Sequence, residues 1–115
     1  ITIGAPHQGT PTAIAGLALG LGLLSRAPFD IIPRSAMVRR LNGLPWPEST
    51  PLISIISRSD ILCPGSFGEA RFSESQGIRT IVLEGLGHTE MVRTAWVLDG
   101  LIGLMADPTA EMDPG

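Results

Sequence analysis

Two polar residues follow directly on two apolar runs, and their types suit proton chemistry. Asp60 lies in Ser57-Arg58-Ser59-Asp60-Ile61-Leu62-Cys63-Pro64, just after the run Pro51-Leu52-Ile53-Ser54-Ile55-Ile56. His88 ends Gly85-Leu86-Gly87-His88, just after Arg79-Thr80-Ile81-Val82-Leu83-Glu84. An imidazole titrates near neutrality, so on a loop beside a nucleophile it can take a proton and give it back. A carboxylate on a neighbouring element can hold that ring in one tautomer and stabilise its charged form. The pair implies a third group, a nucleophile, yet no serine of this chain stands in a Gly-x-Ser-x-Gly turn.

Plainer roles exist for both. A loop histidine can be solvated or structural, and Asp60 can cap a turn. Placement argues for chemistry, because open α/β sheets put their reactive groups just past the carboxyl ends of buried strands. Glu84 and Glu90 compete with Asp60, but both lie too near His88 in sequence to be the usual orienting acid. His7, in Gly4-Ala5-Pro6-His7-Gln8-Gly9-Thr10, either lines the mouth of a site or, the favoured reading, fixes its own loop through a backbone hydrogen bond. A metal site is not expected, since the two histidines are 81 positions apart and no paired-cysteine spacing occurs. Cys63, the one cysteine, has no activating pattern beside it.

The elements that must position these groups can be read from periodicity. Ile1–Gly4 is short and β-favourable. Thr10 and Pro11 open a helix running to about Ser25, weakened by three internal glycines at about 1 kcal/mol each. Pro33–Asn42 is a second helix, with Met37, Val38 and Leu41 as its apolar stripe and Gly43 as its C-terminal cap. Pro51–Ser57 and Ile78–Glu84 are buried strands. A last helix runs from Thr89 or Glu90 to Met105, and Met91, Ala95, Leu98, Ile102 and Met105 recur at helical spacing and form one face. Strands alternating with helices imply an α/β fold with parallel strands and right-handed crossovers.

A length of 115 residues supports one modest core rather than two domains. With 43% hydrophobic and 17% charged residues the chain is globular. Its net charge of −3 leaves no basic footprint for nucleic acid and no polybasic patch for an anionic membrane. The uncharged run Ala13–Leu24 falls short of the roughly 20 residues that a transmembrane helix needs. The sequence opens on Ile1, in what reads as the interior of a strand. The expectation is a piece of a longer protein, with a processed subunit as the alternative.

At these residues the chain resembles the bacterial lipases and carboxylesterases of the α/β-hydrolase fold. Gly4-Ala5-Pro6-His7-Gln8-Gly9-Thr10 is similar to that family's TPHxG(T/S) loop after the sixth strand. Ser57–Pro64 resembles its D-x-x-V-P segment after the seventh strand, with Cys63 where valine is common. Gly85-Leu86-Gly87-His88 resembles its GxGH segment after the eighth.

The resemblance implies that residues 1–106 are the C-terminal portion of one hydrolase domain. Its sheet would hold three parallel strands with flanking helices, incomplete without upstream strands. Residues 11–50 would be a cap or lid-like insertion and 107–115 a flexible tail. It further implies a Ser-His-Asp triad with Asp60 as acid, His88 as base and the serine upstream, in the missing N-terminal half. The substrate would be an ester or lipid-like small molecule, and no cofactor is required. His7, Leu17, Leu21 and Trp46 are candidates for the substrate pocket or lid, although the Gly-Leu run could equally be plain packing. The fragment alone would be inactive. Acyltransferases, thioesterases and amidases share the same triad, and a non-catalytic binding protein of this fold would differ at the upstream nucleophile.

Overall fold

Six consecutive residues with no breaker and three isoleucines make Leu52–Ser57 the strand around which the chain is organised. A computed structural model describes residues 1–72 and 77–113. It has an α/β architecture, a three-stranded parallel sheet with flanking helices. The strands are β1 (Thr2–Ile3), β2 (Leu52–Ser57) and β3 (Ile78–Leu83). Four helices accompany them, α1 (Thr12–Ala18), α2 (Ala27–Asp30), α3 (Ala36–Asn42) and α4 (Ala95–Ala106). β2 is central, pairing Thr2 with Ser54 on one side and running from Leu52↔Ile78 to Ser57↔Leu83 on the other.

All six residues of β2 are buried, as expected of a parallel strand covered on both faces. Ile53 and Ile55 share a core with Leu83, Met91, Val97 and Leu104. On the alternate positions, Ser54 Oγ donates to Gly68 O at 2.7 Å. Gly68 lies so close to Ile56 that a Cβ there would meet Cγ2 at 2.6 Å. A 3-10 turn over Gly65–Gly68 therefore covers the face that α4 does not.

Several elements differ from the sequence reading. The first helix ends at Ala18 instead of about Ser25, because Gly20 turns the chain at φ +86° into a separate 3-10 turn, Leu21–Leu23. The second begins at Ala36 rather than Pro33, since Arg34 takes φ +64° and Ser35 caps α3 by accepting from Val38 N at 3.1 Å. The last helix is split: a 3-10 turn at Glu90–Val92 precedes α4, and extended Thr94 separates the two.

Of the apolar face read from the sequence, Met91 in the 3-10 turn is buried, but α4 packs on another stripe. Val97 and Leu104 are buried, with Leu101 packed beside them, while Leu98, Ile102 and Met105 are exposed. The helix is apolar on two stripes, and only packing chooses between them. Beyond it the tail is bonded rather than free as far as it is described. Arg79 donates to the carbonyls of Pro108 and Ala110 at 2.9 and 2.7 Å, and Ala110 and Met112 pack on the core. Pro114 and Gly115, which end the expected flexible tail, lie outside the described residues. Among the described residues no helix is long and apolar enough to cross a membrane.

Candidate active site

Because β2 and β3 are adjacent and parallel, the loops that leave their carboxyl ends start side by side, and this brings Asp60 to His88. His88 Nδ1 lies 2.7 Å from Asp60 Oδ2. An ionised carboxylate only accepts, so opposite a neutral ring Nδ1 is the donor and Nε2 is left as the acceptor. No described residue bonds Nε2, and the ring is about one-third exposed. The Asp60 side chain has no exposed surface. Its other oxygen, Oδ1, accepts from Leu62 N at 2.8 Å and Cys63 N at 2.9 Å. Asp60 therefore does cap a turn, and its second oxygen serves the imidazole at the same time.

Three residues not anticipated from sequence hold the pair together. Ser57, fully buried at the end of β2, donates from Oγ to Leu86 O on the His88 loop. The same Oγ accepts from Ser59 N at 3.2 Å on the Asp60 loop. Glu90 Oε2 accepts from Gly87 N at 2.6 Å and closes the turn that presents His88. Gly4, at φ +57°, lies under the ring: a Cβ there would be 3.0 Å from both Cε1 and Nδ1. Glu90 is thus occupied with backbone, and Glu84 forms an exposed pair with Arg58 at 3.1 Å. Neither acid bonds the imidazole. Glu90 alone left a trace in the sequence, three residues after Gly87, the spacing at which a carboxylate reaches back to a backbone N–H.

Next to the pair, the polar burial is consistent. The Cys63 thiol is pushed up to about 11, by burial first and then by the negative charge of Asp60. It stays protonated at neutral pH and is no nucleophile there. A cleft beside His88 is lined by Ser59, Ile61, Leu62, Thr89 and Glu90. Thr10 Oγ1 and Thr12 Oγ1 donate to the carbonyls of Leu62 and Ile61, tying the start of α1 to the Asp60 loop.

His7 stands away from this pair. Its Nε2 is 2.8 Å from Thr2 Oγ1, so the ring fixes its loop through a side chain rather than through backbone. Burial lowers its pKa. His7 and Trp46 together line a separate cavity of about 330 Å3. Leu17 and Leu21 do not line it. They fold back on the glycines of their own run, Leu17 against Gly22 and Leu21 against Gly16. Among the described residues no cluster of three or more His, Cys, Asp or Glu could hold a metal ion.

Fold and site together define an α/β protein whose buried carboxylate holds a partly exposed imidazole with one nitrogen unbonded among the described residues. No family model, curated protein or solved structure matches the chain.

Proposed function

We propose that this chain is the C-terminal part of an α/β-hydrolase that cleaves carboxylic esters. Asp60 and His88 would be its acid and base, and a serine in preceding sequence its nucleophile. The observation that carries the reading is the Asp60–His88 bond at 2.7 Å, with Nε2 bonded by no described residue and the ring about one-third exposed. In the proposed reaction Nε2 takes the serine proton as Oγ attacks the ester carbonyl, then returns it to the leaving alcohol. Buried Asp60 keeps the proton on Nδ1 and stabilises the imidazolium without being protonated itself. The Leu62 and Cys63 amides hold the other carboxylate oxygen, so the group is fixed in position as it faces the ring.

The sheet supports the same reading. β1, β2 and β3 would be the sixth to eighth strands of the complete domain, with earlier strands pairing along β1. The test is ester hydrolysis by the full-length protein. His88→Ala and Asp60→Asn should each lower kcat by roughly 10³-fold or more. A fluorophosphonate should label a serine outside residues 1–115. Near-unchanged turnover in either variant, or a label on a serine of these residues, would remove the assigned roles.

A further inference from the structure

The cavity beside the loop after β1 is lined by neither Asp60 nor His88. Its aliphatic walls include Ile31 and, from α3, Val38 and Leu41. Trp46 and Phe72 form an aromatic corner, with ring centroids 5.2 Å apart and planes at 39°. His7 stands edge-on to Phe72, 6.1 Å away at 74°. At about 330 Å3 the space lies at the lower end of small-molecule sites. Taking ~30 Å3 for each water-sized group, it holds roughly ten non-hydrogen atoms.

The charge of the wall narrows the class. Among the described residues no arginine lines it, and burial lowers the pKa of His7, which favours its neutral form. Among the described lining residues Asp30 is the one acidic or basic side chain besides His7. Asn42 also lines the cavity, and its Nδ2 is committed to His7 O at 3.0 Å and Gln8 Oε1 at 3.3 Å. That leaves Asn42 Oδ1 buried and unpartnered among the described residues. The polar features are therefore electron-rich, hostile to an anion and without a countercharge for one.

We infer that this cavity binds an uncharged aromatic group of roughly ten non-hydrogen atoms, seated against Trp46 and Phe72. The inference goes beyond the ester-hydrolase reading, since binding there needs no turnover. An aromatic arm of a substrate and a separate aromatic ligand share this chemistry.

The probe is 4-ethylanisole, titrated into protein labelled with ¹⁵N-tryptophan. The Trp46 indole resonance should shift with Kd on the order of 0.1–1 mM, and that of Trp96, which packs on the sheet core and does not line the cavity, should stay in place. 4-Ethylbenzoate, of nearly the same shape, should bind at least about tenfold more weakly. By calorimetry Trp46→Ala should weaken 4-ethylanisole roughly tenfold. Leu41→Trp, which fills the space and keeps Trp46, should do the same. His88→Ala should leave affinity within about twofold.

Absence of any Trp46 shift at saturating 4-ethylanisole overturns the site. So does loss of binding in His88→Ala, which would place the probe in the other cleft. Tighter binding of 4-ethylbenzylammonium than of the neutral probe would assign the cavity to cations through Asp30 and overturn the stated class. Competitive inhibition of ester hydrolysis would identify the group as a substrate arm, and binding without inhibition as a separate ligand. Both support the site. A protein that binds the probe but hydrolyses no ester refutes the hydrolase reading alone.

Discussion

Replacing Gly4 by alanine tests whether the imidazole is seated where the structure puts it. Gly4 has φ +57°, and Gly65 has φ +55°. A side chain in that left-handed region costs roughly 1–2 kcal/mol, so both substitutions carry this backbone cost. They differ in surroundings. An added Cβ at Gly65 meets nothing within 4 Å, whereas at Gly4 it lies 3.0 Å from two ring atoms of His88 and 3.1 Å from Met91 Cε. His88 is held at 2.7 Å by Asp60, and Met91 is fully buried, so neither yields freely. Overpacking of this kind adds about 1–3 kcal/mol. Urea unfolding should therefore show Gly65→Ala losing ~1–2 kcal/mol and Gly4→Ala losing ~2–5 kcal/mol. The low-field Nδ1–H proton resonance of His88 should survive in the first variant and move or vanish in the second. Equal losses, with that proton unchanged in both, would show that the ring does not rest on Gly4.

Two further outcomes follow from buried polar groups. Ser57→Ala leaves Leu86 O and Ser59 N without their partner, and should cost ~1–3 kcal/mol in denaturant midpoint while loosening the Asp60–His88 bond; a loss below about 0.5 kcal/mol would mean that Ser57 holds nothing. His7 has its pKa lowered by burial, so between the unfolded value of 6.5 and its lower folded value the unfolded chain binds more protons. Wild type should thus lose stability relative to His7→Gln as pH falls below about 6.5, by at most ~1.4 kcal/mol per pH unit, and parallel curves in urea unfolding would refute a half-buried ring that resists charging.

Much of the positioning machinery was legible because it depends on local composition. β-branched runs placed β2 and β3 to within about a residue, and their parallel pairing is what juxtaposes the loops of Asp60 and His88. The face of α4 was not legible, because Ala95–Ala106 offers two apolar stripes, and burial of Val97 and Leu104, with Leu101 packed beside them, depends on where β2 and β3 lie. The break at Thr94 was equally hidden. Thr94 Oγ1 donates to Glu90 O at 2.8 Å, a local bond that competes with helix. Ser57 looked like one more strand residue, and its role becomes visible only when Leu86 arrives from the next strand. The cavity drew His7 and Trp46 together across 39 positions, which no spacing rule anticipates.

The two oxygens of Asp60 belong to different stages of folding. Oδ1 reaches amides two and three residues away, so its turn can close within the time of local chain motion, ~10–100 ns for short loops. Oδ2 needs His88, 28 residues on. By the logarithmic law for loop closure that contact costs ~2 kcal/mol more chain entropy than a three-residue one. The acceptor is shaped first, by its own neighbours. The ring is delivered only once β3 has docked, so a chain that opens along β3 separates the pair while the carboxylate keeps its turn.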